Sequence, residues 1–189
     1  MPVKRKGRRD GEWRRIEWIR KLEDAPATET FPLGIGDDAA IWTPSRGASA
    51  VLTVDVQVEG VHFHRRWLTL REIGERAVTS SVSDLAAMAA CPVALLVSIV
   101  ADDRLEEGDF KDLYLGIHKG ARSYGTRILG GNLSSGPLSI AVTAIGEGSE
   151  QRLVRRGGAR PGDEVWVTGV PGLARLGLKC LERGLSPAL

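Results

Sequence analysis

Cys91 and Cys180 are the only cysteines in 189 residues, and they stand far apart in apolar or helical surroundings. That excludes a disulfide framework as the source of stability and points to a reducing compartment. No cluster of cysteine and histidine occurs either, which leaves oxygen donors as the candidate metal ligands. No apolar run reaches the roughly 20 residues of a membrane helix. The basic start lacks the apolar stretch of a signal peptide, so a cytoplasmic protein is expected. Charge of one sign does not dominate: the formal net charge is +2, too small for a field that steers polyanions to the whole molecule. The local exception is Lys4, Arg5, Lys6, Arg8 and Arg9. Without interleaved aromatics this run reads as a solvated tail, not a nucleic-acid arm. What is present is ordinary for a folded domain, with 42% hydrophobic and 26% charged residues, and enough length for one large core or one and a fraction.

Residues 1–30 read as a basic tail, Met1 to Gly11, and an N-terminal helix on the spacing of Trp13, Ile16, Ile19 and Leu22. Residues 31–170 carry the main domain. Ala39 to Trp42 reads as a short strand and Ala50 to Val58 as a strand rich in β-branched residues. On the latter, Val51, Thr53, Asp55 and Gln57 share one face, while Leu52, Val54, Val56 and Val58 share the other. The apolar face is expected to meet the core. Leu70 to Ala90 predicts a long helix with Ile73, Ala77, Leu85 and Met88 inward and an unusually polar middle at Thr79, Ser80, Ser81 and Ser83. Val93 to Ala101 predicts a strand buried on both faces. Leu105 to Ser123 predicts a second helix, Thr126 to Leu129 a strand ending in a Gly130-Gly131-Asn132 turn, and Leu138 to Gly146 and Glu164 to Thr168 further strands. Residues 171–189 read as a helix, Leu173 to Glu182, leading into an open connection. Hairpins outside and helices between predict an α+β fold, a mixed β-sheet packed with helices.

The chemistry lies in carboxylates beside small residues: Gly34-Ile35-Gly36-Asp37-Asp38-Ala39-Ala40, Thr53-Val54-Asp55 and Ser83-Asp84-Leu85. Aspartate is depleted from strands, and mid-helix its short side chain competes with the backbone, so Asp55 and Asp84 both need a reason. Adjacent carboxylates at Asp37 and Asp38 repel unless a cation holds them; an Asx-turn is the plainer alternative. Hard oxygen donors without nitrogen or sulfur suit Mg2+, which usually accompanies a phosphate. Gly130-Gly131-Asn132 could bring backbone amides to a phosphate. His62, in Glu59-Gly60-Val61-His62-Phe63, is a candidate contact residue by aptitude alone.

Taken in order, these runs, with Ser83-Asp84-Leu85-Ala86-Ala87-Met88-Ala89-Ala90 and Val142-Thr143-Ala144-Ile145-Gly146, resemble the N-terminal half of thiamine-monophosphate kinase. That family belongs to the superfamily of aminoimidazole ribonucleotide synthetase and selenophosphate synthetase. The resemblance covers roughly Phe31 to Gly169 and implies transfer of the ATP γ-phosphoryl group to thiamine monophosphate with several Mg2+ ions. By matching position, Asp38, Thr53, Asp55 and Asp84 correspond to metal ligands, Asp84 bridging ions at the catalytic centre. His62 corresponds to a substrate contact, and Tyr114, Gly131, Asn132 and Arg156 to ATP contacts. A homodimer formed through the sheet is implied. Departures are Val54 for a second Thr, Asn132 for an Asp, Ser81 for a frequent Asn, and Pro171-Gly172-Leu173-Ala174 for Gly-Asp-Ser-Ala. The family's C-terminal domain, with its Gly-Gly-Glu-Asp motif, has no counterpart in the sequence. Little turnover by this chain alone is therefore expected, and a separately encoded half is a candidate partner. The alternatives are a stand-alone or degenerate nucleotide-binding module, or a superfamily relative with another phosphate acceptor.

Overall fold

The computed structural model describes residues 6–102 and 105–185. They fall into two compact units, Met1–Val154 and Arg155–Leu189. In the first, helix α1 (Lys6–Leu22) precedes strand β1 (Ser49–Val58), helix α2 (Leu70–Ala87), strand β2 (Cys91–Ala101), helix α3 (Glu107–Ser123), and strands β3 (Arg127–Ser135) and β4 (Ser139–Gly148). The strands form one mixed sheet in the order β1-β4-β2-β3. β4 runs antiparallel to both β1 and β2, whereas β2 and β3 are parallel across the α3 crossover.

Helices α2 and α3 lie on one face of this sheet. Ile73, Val78 and Leu85 of α2 and Phe110, Leu113 and Ile117 of α3 are fully buried with Leu95 and Ile99 of β2 and Ile140 and Val142 of β4. The helices approach each other closely because glycines meet backbone. A Cβ on Gly116 would lie 2.1 Å from the Arg71 carbonyl oxygen, and one on Gly74 would lie 2.3 Å from that of Leu113. α2 starts with a capping box: Thr69 Oγ1 accepts the Glu72 amide, and the Glu72 carboxylate accepts the Thr69 amide at 2.7 Å. Ser81 donates to the Val142 carbonyl at 2.8 Å and pins α2 to β4.

α1 docks beside α3. The Trp18 and Tyr114 rings meet edge-on at 5.8 Å, Arg15 lies 4.5 Å over the Phe110 ring and donates to the Leu105 carbonyl, and Glu23 contacts His118 at 2.9 Å. The second unit holds a 3-10 turn, Arg156–Gly158, and helix α4 (Leu173–Glu182). Among the described residues no helix is long and apolar enough to cross a membrane.

The mixed α+β sheet matches the sequence reading; several details differ. Helix α1 already runs from Lys6, so Lys6 to Gly11 is helical instead of tail, while Met1 to Arg5 lie outside the described residues. Residues 39–42 form no strand: Leu33 and Ile41 make one isolated antiparallel bridge. Residues 164–168 are not a strand either, and Val165 and Trp166 are exposed. β3 does not stop at Leu129 but continues through Gly130-Gly131-Asn132. At Gly131 a Cβ would lie 1.7 Å from the Val97 carbonyl oxygen, so the glycine permits close strand approach, not a turn. Finally, the faces of β1 are reversed from expectation. Val51, Thr53, Asp55 and Gln57 turn toward α2, and Leu52, Val54 and Val56 are the exposed set. The polar middle of α2 accounts for this, because it offers partners to that row.

Candidate functional site

β1 and α2 face each other along a polar seam. Thr53, Asp55 and Gln57 alternate along the strand; Arg76, Ser80 and Asp84 recur at four-residue spacing on the helix. The two rows run in opposite directions and meet side chain to side chain. Thr53 Oγ1 donates to Asp84 Oδ2 at 2.8 Å, Gln57 Nε2 lies 3.4 Å from Ser80 Oγ, and Arg76 Nε donates to Gln57 Oε1 at 3.3 Å. Asp55 Oδ1 accepts the Val56 amide at 2.8 Å, and Gln57 Nε2 makes a long 3.5 Å contact to Asp55 Oδ2. The carboxylates therefore sit at one end of the seam and a guanidinium at the other.

His62 lies past the end of β1, where its Nδ1 accepts the Val58 amide at 3.1 Å. A backbone N–H can only donate, so Nδ1 is the bare nitrogen and Nε2 carries the ring proton. β1 is an edge strand, and the neighbouring Glu59 amide turns inward to the Leu138 carbonyl. The Val58 amide and its histidine therefore lie on the free edge.

A second concavity, about 1070 Å3, opens between α1, residues 34–42 and the sheet, where the middles of β2 (Leu96 to Ile99) and β3 (Leu129 to Leu133) line it together with Ala141, Thr143 and Ile145 of β4. It takes in Asp38, Tyr114, Gly131 and Asn132, and also Trp13, Ile16 and Arg20 of α1. Residues 33–41 form an irregular bridged loop in which Gly36 adopts φ 139°. Asp37 Oδ1 accepts the amide of the next residue, Asp38, at 2.8 Å, one position short of the bond that an Asx-turn makes. Within this wall Tyr114 Oη and Trp42 Nε1 are buried without a well-formed hydrogen bond among the described residues, the Glu23 carboxylate lying close to the Tyr114 hydroxyl. Burial first, and the Glu23 carboxylate second, hold the Tyr114 phenol far above its ordinary value, so it stays a protonated donor.

The structure thus joins Thr53 to Asp84, sets Asp55 on the same face of β1, and gathers Asp38, Tyr114, Gly131 and Asn132 around the cleft. Arg156 belongs to the second unit. Among the described residues no three His, Cys, Asp or Glu side chains converge as a metal cage. Mg2+ does not require one: it keeps several waters and is held by one or two carboxylates plus phosphate oxygens. Asp38, Asp55 and Asp84 form no ion pair with lysine or arginine among the described residues. The Thr53, Asp55 and Asp84 oxygens fit a hard cation; Asp38 lines the cleft instead, and no hydrogen bond among the described residues joins it to them. The buried Trp42 Nε1 in the cleft wall fits a polar ligand. Sequence reasoning missed Gln57, Arg76 and Trp42. The alternation of β1 and the 76/80/84 spacing carry the signal for the first two; Trp42 leaves none.

Comparison with known proteins follows the same lines. Thiamine-monophosphate kinase of Synechococcus elongatus is 41% identical over 146 residues, 76% of this chain and 44% of that protein. The crystal structure of thiamine-monophosphate kinase from Stenotrophomonas maltophilia K279a superposes with a TM-score of 0.78 at 32% identity, covering 92% of this chain and 53% of that one. AaThiL complexed with AMPPCP and TMP gives a TM-score of 0.71 at 30% identity over 100% of this chain and 57% of that one. The chain spans about half the length of the relatives it matches. Residues 36–147, more than half of the chain, match the family described as AIR synthase related protein, N-terminal domain, and to that family the chain belongs.

Proposed function

We propose that the chain is the ATP-binding portion of a thiamine-monophosphate kinase, with Mg2+ held by Asp38, Thr53, Asp55 and Asp84. The observation that carries this reading is the oxygen group of Thr53, Asp55 and Asp84, whose carboxylates lack any lysine or arginine partner among the described residues. Bound magnesium would neutralise phosphate charge, the chief demand of phosphoryl transfer. Asp84 takes the Thr53 hydroxyl proton into its own hydrogen bond, which leaves the Thr53 lone pairs free to act as a neutral ligand. Tyr114, Gly131 and Asn132 serve the nucleotide in the cleft, and Arg156 is a further ATP contact. His62 offers its Nε2 proton to the phosphate acceptor, thiamine monophosphate. Support comes from the AIR synthase related family and from a relative complexed with AMPPCP and TMP.

Calorimetric titration with AMPPCP tests it. Binding is expected with Mg2+ and strongly reduced without it; affinity indifferent to Mg2+ overturns the reading. The exposed Leu52, Val54 and Val56 of β1, 65%, 62% and 42% accessible, are proposed to pair with a second copy of the chain. Sedimentation should show a dimer that Val54→Lys converts to monomer. A wild-type chain that stays monomeric at high concentration rejects this part.

A further inference from the structure

The guanidinium end of the β1–α2 seam has no role in the reading above. Arg76 is solvent-exposed and makes no ion pair among the described residues. Its Nε is committed to Gln57 Oε1 at 3.3 Å. Among the described residues both terminal amino groups have no partner, and these form the end-on fork that meets a phosphate with two parallel hydrogen bonds.

Gln57 makes that placement specific. It is 4% exposed, so both ends of its amide need partners. A guanidinium only donates, so the Gln57 oxygen must face Arg76 and its NH2 must face Asp55 and Ser80. The glutamine thus spaces a cation from the carboxylates, where direct contact would neutralise both. Along β1 the order runs Thr53 and Asp84, then Asp55, then Gln57 with Arg76, then His62 hydrogen-bonded to Val58.

Resting on the assignment of the carboxylates to Mg2+ and of His62 to the acceptor, we propose that Arg76 binds the phosphomonoester of the phosphate acceptor. The anion lies between the metal end of the seam and the histidine. The free fork of Arg76 holds two of its oxygens, which fixes the third toward the carboxylate-bound cations. The group bound is the acceptor's phosphate, not the triphosphate of the nucleotide, whose cleft is lined by α1, residues 34–42 and β3.

Calorimetry on the full chain separates these assignments. Thiamine monophosphate, thiamine and inorganic phosphate are titrated in Mg2+ with and without AMPPCP, and Mg-AMPPCP is titrated alone. Wild type should prefer thiamine monophosphate to thiamine. Arg76→Met should remove about 10- to 100-fold of that preference, the worth of a charge-assisted pair, and leave Mg-AMPPCP affinity within about twofold. Arg76→Lys, which keeps charge but loses the fork, should fall between. Arg71→Met, which breaks only the surface pair with Asp112, should match wild type. An undiminished preference in Arg76→Met overturns the proposal. So does an equal loss of Mg-AMPPCP affinity, which would place the guanidinium on the nucleotide. A wild type that does not distinguish thiamine monophosphate from thiamine also overturns it. Failure of Mg-AMPPCP to bind wild type would instead refute the parent reading, and the titrations without nucleotide would still report on Arg76.

Discussion

Thr53 on β1 and Asp84 on α2 are joined by a 2.8 Å hydrogen bond across 31 positions of sequence. It ties the edge strand to the helix that covers it, at the point where the carboxylates gather. Asp84 is solvent-exposed, so its charge is not needed for packing. Asp84→Asn should change stability by no more than about 0.5 kcal/mol, as surface replacements usually do. It should lower Mg2+-dependent AMPPCP affinity at least roughly tenfold, since even groups behind metal ligands have effects of that size. Paired melting and titration experiments check this; a large loss of stability with intact binding would make the bond purely structural.

The contact between α2 and α3 predicts opposite outcomes for two glycines on one helix. Gly116→Ala forces a methyl onto the Arg71 carbonyl, 2.1 Å away, and backbone cannot step aside cheaply. A destabilisation of about 2 to 3 kcal/mol is expected. Gly108, in the first turn of α3, has nothing within 4 Å of an added Cβ. Gly108→Ala should stabilise by about 0.5 kcal/mol through the reduced freedom of the unfolded chain. Urea midpoints distinguish the two.

At the start of α2, the amide and hydroxyl of Thr69 hold the Glu72 carboxyl below its ordinary value of 4.5. A group whose folded value is lowered stabilises the fold above its unfolded value, and that contribution vanishes as pH falls through the folded one. Thr69→Ala should therefore destabilise by about 1 kcal/mol near neutral pH, a typical N-cap loss. Its difference from wild type should shrink as pH drops below 4.5, measured by denaturant titration at a series of acidic pH values.

Tyr114 offers a cleaner separation of binding from folding. Its buried hydroxyl faces the Glu23 carboxylate without a well-formed hydrogen bond, so Tyr114→Phe should change stability by no more than about 1 kcal/mol. If the hydroxyl serves the nucleotide, AMPPCP affinity should fall several-fold in the same variant. Unaltered affinity would remove Tyr114 from the site.

Much of the fold was legible because periodicity is strong where both partners are regular. β1, β2, β4 and helices α2 and α3 fall within a few residues of their expected bounds. Gly130-Gly131-Asn132 misled because glycine reads as a turn locally, whereas the reason for Gly131 is Val97 on the neighbouring strand, invisible along one chain. The reversed faces of β1 have the same origin. A valine row looks like core until the helix above the opposite row proves to carry Ser80, Asp84 and Arg76. The site carboxylates were readable as misfits to local propensity. Arg76 was not, since an exposed helical arginine violates nothing.

Helix α1 is a wall of the cleft, and it reaches the body through the buried Ile19, through Trp18, Leu22 and Arg15, and through the neighbouring Glu23. Whatever fills the cleft and the docking of that helix must share one equilibrium, each tightening the other. Occupancy would then register at a distance from any reacting atom, as slowed amide exchange along residues 16–22 and slowed tryptic cutting at the exposed Arg14 and Arg20.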